Sequence, residues 1–376
     1  MKRLFCFLVA TLAVAGSAVY AQEVDSTMPT QTLTSEDVTI EESVDYVPAI
    51  SLDARFGYDG IVSGQAAGFG GVGLFLNNDG KISKRFSYTL CQRLFESAGD
   101  DSSVFGATDI LTLNFEAGNW AFSAGKDYVI LGNWEYDAYY LDAYFDMNTM
   151  FYNSFDGRRW GVKAAWTNNS ETSTFLFQVA NSPYSEEPKV SSLYSYALGW
   201  QGAWEHYESY WTVNMWEYSH GSFVKNIALG NIFYFGDFSL TADFMMRAVE
   251  LDELTDNMSL TLQPAYDICD KVRLFGKIGW EKDSGNMFDL TGNSFDGMRQ
   301  ENEECTTVMP AYILHDKDYL FYGAGVEYFP IKNNKNVRLH AVWSSNNYTD
   351  RHGINIGLTW KFDLVNAVKY ISLRVK

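Results

Sequence analysis

The sequence predicts an all-β fold, a transmembrane antiparallel β-barrel of about sixteen strands with an inward-folded third loop. Three observations predict it. Apolar and polar residues alternate along most of the chain, as in Ile50-Ser51-Leu52-Asp53-Ala54-Arg55-Phe56-Gly57-Tyr58. The outward set of these strands is enriched in Tyr, Trp and Phe at the strand ends, where headgroups meet hydrocarbon. Although 47% of the residues are hydrophobic, no segment after the leader reaches the roughly 18 uninterrupted apolar residues of a membrane helix. Backbone groups in hydrocarbon must all pair, so a closed sheet is the other way to cross.

The elements follow in chain order. Residues 1–21 read as a signal peptide. Lys2 and Arg3 give a charged start, Leu4 to Ala15 an apolar run too short to span, and Val19-Tyr20-Ala21 a cleavage site before Gln22. Cys6 is expected to leave with the peptide, so no lipid anchor is assigned. Residues 22–47, rich in Thr, Ser, Glu and Asp without periodicity, are expected to be a flexible periplasmic segment. The barrel is placed at 48–362. Residues 363–376 are either a tail or the end of the last strand.

Short turns are expected at Asn78-Asp79-Gly80, between a second strand near 72–77 and a third near 82–93, and at Glu116-Ala117-Gly118-Asn119, Gly236-Asp237 and Cys269-Asp270. These mark the periplasmic side. Longer polar connections near 58–70, 96–106, 127–157, 181–192, 282–318 and 346–352 mark the other. Parity assigns the faces: Trp160, Val162, Ala164 and Trp166 take lipid, whereas Arg159, Gly161, Lys163 and Ala165 take the lumen. The same holds for Leu339 and Trp343 against Arg338 and His340, and for Ile356 and Trp360 against Asn355 and Lys361. A basic residue on the lipid face near the midplane costs about 2–4 kcal/mol, so the parity of the basic residues is itself evidence.

The formal charge of −19 makes nucleic acid an unsuitable partner. The acids gather in loops, at Glu186-Glu187, Asp252-Glu253 and Glu301 to Glu304. They form a solvated rim or bridge lipopolysaccharide phosphates through divalent cations. Outer-membrane lipid and lipopolysaccharide are the partners this implies. The mature chain keeps Cys91, Cys269 and Cys305, an odd number without metal-binding spacing, and these are read as unpaired. Gly68-Phe69-Gly70-Gly71-Val72-Gly73 fits a nucleotide-binding fingerprint but lacks the following helix, and is read as a flexible rim. The five histidines have no metal spacing. His220-Gly221-Ser222 lacks an orienting acid. No catalytic, cofactor-binding or metal residue is assigned, and no cofactor is expected.

Two groups of residues point to the lumen. The basic members of the inward set are Arg55, Arg85, Arg93, Arg159, Lys163, Arg273, Lys277, Arg338 and Lys361, with Arg247 near a rim. Clustered in a narrow wet pore they attract anions; balanced by Asp53, Glu116, Asp243, Glu281 and Glu327 they make a transverse field of weak selectivity. The second group is the connection from Leu131 to Asp156. It carries Trp134, Tyr136, Tyr139, Tyr140, Tyr144, Phe145, Phe151, Tyr152 and Phe155 interleaved with Glu135, Asp137, Asp142 and Asp146. In water it would expose too much apolar surface. Folded inward it forms a constriction, and laid over the mouth it forms a cap. In the first case Arg85, Arg93, Arg159 and Lys163 would face its acids across the eyelet.

Gly125-Lys126-Asp127-Tyr128-Val129-Ile130-Leu131-Gly132-Asn133-Trp134-Glu135-Tyr136-Asp137, followed after the aromatic loop by Arg159-Trp160-Gly161-Val162, resembles the porins of Bacteroidetes related to the phosphate-selective porin O and P family. The resemblance extends over 48–362. It implies a sixteen-stranded trimeric barrel whose third loop, here 131–156, turns inward. It also implies passive diffusion of small hydrophilic solutes across the bacterial outer membrane, without catalysis. Phosphate selectivity does not carry over, because acids share the inward set. A sugar-selective or surface-recognition barrel is the alternative.

Overall fold

The computed structural model describes residues 47–62, 67–94, 106–138, 140–145, 147–152, 155–185, 192–282, 317–349 and 351–365. The leader, residues 22–46, Cys305, the acidic runs at 186–187 and 301–304, most of the 282–318 connection, the side chains of Tyr140 and Asp146, and residues 366–376 lie outside the described residues.

Sixteen antiparallel strands close on themselves. The first eight are β1 (Ala49–Ile61), β2 (Ala67–Lys81), β3 (Phe86–Arg93), β4 (Thr108–Ala117), β5 (Trp120–Tyr128), β6 (Arg158–Thr167), β7 (Ser173–Asn181) and β8 (Tyr194–Trp204). They continue as β9 (Tyr207–Ser219), β10 (Ser222–Phe235), β11 (Phe238–Ala248), β12 (Met258–Cys269), β13 (Val272–Lys282), β14 (Tyr319–Tyr328), β15 (Val337–Asn346) and β16 (His352–Asp363). Each strand pairs with its neighbours in sequence. Eleven register pairs between β1 and β16, from Ser51 opposite Asp363 to Ile61 opposite Gly353, complete the ring and leave no free edge.

The alternation read from the sequence is the alternation of the wall. Phe56, Val162, Phe177, Leu198, Val213, Ile278 and Ile356 are exposed on the outside. Arg55, Lys163, Gln178, Ala197, Thr212, Lys277 and Asn355, one residue away in each case, are buried inside. At the short-turn end the outer surface carries an aromatic belt. Trp204 stacks on Tyr207 at 5.7 Å, Tyr207 meets Phe233 at 5.2 Å, and Phe235 lies against Phe238 at 6.2 Å. A closed antiparallel barrel with an apolar outer band and aromatic girdles is the architecture of bacterial outer-membrane proteins.

The first expected turn is displaced. Asn78-Asp79-Gly80 does not reverse the chain; these residues run straight on in β2, Asn78 opposite Ile50 and Asp79 opposite Ala49. Gly80 serves a neighbour instead, since a Cβ there would lie 2.6 Å from the hydroxyl of Tyr88, which donates to Asn78 Oδ1 at 3.2 Å. The reversal comes at Ile82-Ser83-Lys84-Arg85, where Ser83 Oγ accepts from the amides of Arg85 and Phe86 at 3.3 and 3.1 Å. Gly118 and Gly236 do turn the chain, at φ 61° and 64°, a region that favours glycine. The expected 58–70 connection shrinks to 62–66, because β1 and β2 stay paired through the glycine run as far as Gly60 opposite Ala67. Those glycines are strand, not a flexible rim. Connection length alternates around most of the ring. Two exceptions escaped the sequence reading: a two-residue turn at 220–221 on the long-loop end and an eight-residue connection at 329–336 on the short-turn end.

Candidate constriction of the lumen

The connection between β5 and β6 does turn inward, and it crosses the whole lumen. Its neck is closed by Val129 N donating to Gly157 O at 2.8 Å. From there the chain is handed from strand to strand. Ile130 N donates to Gln178 on β7 at 2.8 Å, and Gly132 N to Thr212 Oγ1 on β9 at 2.8 Å. Glycine is required at 132 because a Cβ would sit 2.7 Å from Thr212 N and Tyr210 O. A single helical turn, α1 (Trp134–Asp137), follows, with Asn133 Oδ1 accepting from Tyr136 N as its cap. Its first amides, on Trp134 and Glu135, donate to the two oxygens of Asp243 on β11 at 2.8 and 2.9 Å. A carboxylate there satisfies amides that the helix itself cannot.

The middle of the strap is held by buried ion pairs. Glu135 meets Lys277 on β13 at 2.7 Å, the two side chains 2% and 5% exposed, and accepts from Thr149 Oγ1 at 2.8 Å. Lys277 Nζ also donates to Met147 O at 2.9 Å and Asn148 Oδ1 at 2.5 Å, so all its protons have acceptors. Glu281, on the same strand, accepts from the amides of Met150 and Phe151 at 2.5 and 3.3 Å and pairs with Arg247 of β11 at 2.5 Å. The guanidinium of Arg247 lies 4.8 Å from the centre of the Phe151 ring.

The tip reaches the opposite wall. Arg55 of β1 donates to the carbonyls of Ala143 and Leu141 at 2.9 and 3.3 Å. Arg338 of β15 pairs with Asp142 and donates to Tyr144 OH at 2.6 Å, and that hydroxyl donates onward to Glu327 of β14 at 2.7 Å. The Tyr144 ring stacks on His340 at 4.0 Å. Apolar clusters seal the strap on both flanks. Phe151 and Leu131 pack with Trp216 and Met245 on one side, and Met147 and Met150 with Ile61, Tyr319 and Phe321 on the other. This is how the aromatic loop hides the surface it could not leave in water.

The structure brings Arg55, Lys277 and Arg338 together with the loop residues Glu135, Asp142 and Tyr144. The other members of the inward set are placed as follows. Lys163 pairs with Asp127 at 2.6 Å, and Arg93 with Asp109 at 2.8 Å. Arg159 donates to the carbonyls of Ser182 and Pro183 at 3.1 and 2.8 Å, holding the connection after β7. Lys361 stands opposite Asp53, and Arg273 forks onto Asp267 at 2.6 and 2.9 Å. Arg85, expected in the lumen, lies in the exposed turn at 82–85, the consequence of the displaced first hairpin. Of the expected eyelet, Arg85 is displaced from the lumen, whereas Arg159 lies 3.8 Å from Asp156 at the end of the loop and Lys163 acts on the charge of Asp137. Arg247, expected near a rim, is the penultimate residue of β11 and is fully buried there with Glu281. Within the loop, Trp134 meets Tyr210 edge-on at 5.7 Å, and Tyr136 packs against Phe155 at 5.4 Å. Burial pushes the half-buried Asp137 carboxyl up to about 6, with Asp127 adding to the shift and Lys163 opposing it. Gln178 and Thr212 were not expected as anchors. Their signal, a hydrogen-bonding side chain of inward parity, is shared by many residues of the wall.

Below the strap, toward the short turns, a cavity of about 480 Å³ opens between α1, the loop tip and strands β11 to β15. Arg273, Phe275 and Lys335 line it beneath the ion-paired roof, with the buried Phe329 behind them.

No protein-family model matches the sequence, and no curated protein matches it. Solved structures do share the fold. A loop L8 deletion mutant of OmpT, an outer membrane protein of Vibrio cholerae, superposes with a TM-score of 0.55 at 12% identity, over 84% of this chain and 99% of that one. The trimer form of OmpT gives 0.53 at 12% identity over 84% and 99%. A triple mutant of the Rhodopseudomonas blastica porin gives 0.54 at 12% identity over 84% and 100%. At this identity the likeness is one of architecture, and in architecture the chain is a sixteen-stranded porin-type barrel.

Proposed function

We propose that the chain is an outer-membrane porin passing small hydrophilic solutes down their gradients, with residues 131–156 as its constriction. The observation that carries this reading is the strap itself. A loop tied by polar side chains to β7, β9, β11, β13, β14, β15 and β1 narrows a lumen without plugging it with a folded domain. Such a device sets a size limit on diffusion and needs no cofactor and no chemistry. The trimer form of OmpT favours a homotrimer here as well. The lipid-facing band and acidic rims suit outer-membrane lipid and lipopolysaccharide as surroundings.

Single-channel recording tests it. Shortening the loop by removing residues 138–146 is expected to raise conductance severalfold while the barrel stays folded by circular dichroism. Unchanged conductance in a folded barrel would move the constriction elsewhere.

A further inference from the structure

The charged and the neutral side chains around the cavity beneath the strap differ in what already holds them. Three of its four cations are paired with carboxylates: Lys277 with Glu135 at 2.7 Å, Arg273 with Asp267 at 2.6 Å, and Arg338 with Asp142, with Glu327 a further 3.8 Å contact. The fourth, Lys335, stands in the exposed 329–336 connection at the short-turn end. The neutral part of the wall belongs to β11 and β12. Thr241 and Gln263 are directly opposed there, and Ser239 follows two residues along the same inward face. All three are half-buried, and among the described residues none makes a side-chain hydrogen bond to the protein. Ala265, opposite Ser239, is short and leaves room beside them.

We propose that this cavity binds a neutral polyhydroxylated solute of hexose size, with Gln263, Thr241 and Ser239 hydrogen-bonding its hydroxyls. This rests on the pore reading and adds a solute class to it. A sugar hydroxyl both donates and accepts, and so does each of these side chains: serine and threonine through one hydroxyl, glutamine through its amide nitrogen and oxygen. Asp142, 31% exposed in the loop tip although paired with Arg338, adds an acceptor from the roof, and a carboxylate accepts from a hydroxyl more strongly than a neutral oxygen does. An ion is served less well. It would give up hydration against a patch that carries no charge of its own, beside cations already compensated by carboxylates. The rings of this region take no part, because Phe329 is buried and Phe275 packs against Tyr144 and Phe145. Recognition therefore rests on hydrogen bonds exchanged against water, which gives an affinity in the millimolar range and lets the solute leave as well as enter. At about 480 Å³ the cavity lies within the range of small-molecule sites and accommodates a single pyranose with water.

The test uses the full barrel in a planar bilayer, with glucose, sodium glucuronate and a polyethylene glycol of similar size added in turn on the short-turn side. Glucose is expected to lower the KCl conductance saturably, with its half-effect in the millimolar range. Glucuronate, whose charge the neutral patch does not answer, should be weaker by about fivefold or more. Polyethylene glycol, whose ether oxygens only accept, should lower the conductance without saturating. Gln263→Met, of similar length, should weaken the glucose effect about tenfold and Thr241→Val about fivefold, whereas Thr241→Ser should retain it. A glucuronate effect equal to that of glucose or stronger, a decrease that never saturates, or indifference to both Gln263→Met and Thr241→Val in barrels folded by circular dichroism would each overturn the assignment. Saturation-transfer NMR on the detergent-solubilised barrel separates the two proposals. Glucose binding that Gln263→Met weakens, without conductance, would overturn the pore and keep the site, and conductance without saturable glucose binding would do the reverse.

Discussion

Lys277 illustrates what a lumen cation does in this barrel. Its ammonium is divided among Glu135, Met147 O and Asn148, so its charge holds the loop in place and is not presented to a passing solute. Replacing one member of a buried ion pair leaves the other charge unpaired and costs about 3–5 kcal/mol. Lys277→Met is therefore expected to lower the unfolding temperature in detergent and to make the single-channel current larger and noisier. Adding Glu135→Gln should recover much of the stability, because no buried carboxylate then lacks a partner. A double variant no more stable than Lys277→Met would mean that the pair does not hold the strap. Asp137 supplies a second test. Its carboxyl is raised to about 6 by burial, so the folded state takes up a proton more readily than the unfolded chain. The stability this contributes is complete below the ordinary carboxylate range and is lost as pH rises through 6. Asp137→Asn should raise the unfolding midpoint at pH 7.5 and leave it nearly unchanged at pH 4. Equal effects at both pH values would show that Asp137 titrates normally.

At the scale of elements, strands were legible and their ends were less so. Period-two alternation with basic residues confined to one parity identifies a barrel wall, because lipid and water impose opposite demands on neighbouring residues. The strap was legible for a related reason, since nine aromatic residues in a single connection need a place to be buried. What could not be read was which wall residues would meet it. Gln178 and Thr212 differ from other inward polar residues only through the path of the loop, a long-range property. Asn78-Asp79-Gly80 misled because turn-forming residues also suit the watery end of a lumen strand, and here Gly80 makes room for Tyr88. The corrected hairpin changes the labelling experiment. Cysteines at Ser83 or Asp237, both in short turns, should resist a membrane-impermeant thiol reagent on intact cells and react after the outer membrane is opened. Reaction on intact cells would invert the barrel.

Taken whole, the molecule separates its net charge from the charge that governs permeation. The formal charge is −19, and most lumen cations are spent on fixed partners. Arg159 holds two carbonyls and lies 3.8 Å from Asp156, Arg85 lies in the exposed short turn at 82–85, and Arg55 and Arg338 grip the loop tip. Ion preference should then follow the charges that still face open water, chiefly the exposed Lys335 at the vestibule. Replacing Arg85 and Arg159 together by Ala is accordingly expected to leave the reversal potential in a KCl gradient nearly unchanged, although both are basic residues of the barrel. Lys335→Ala should shift it toward cations. The shift should be larger in dilute salt than near 1 M, because the Debye length falls from about 10 Å at 0.1 M to about 3 Å at 1 M and screens an exposed ammonium from an ion across the vestibule. A shift from Arg85→Ala/Arg159→Ala equal to that from Lys335→Ala, or a Lys335→Ala shift independent of salt, would mean that the permeating ion samples the wall charges directly and that the strap does not neutralise them.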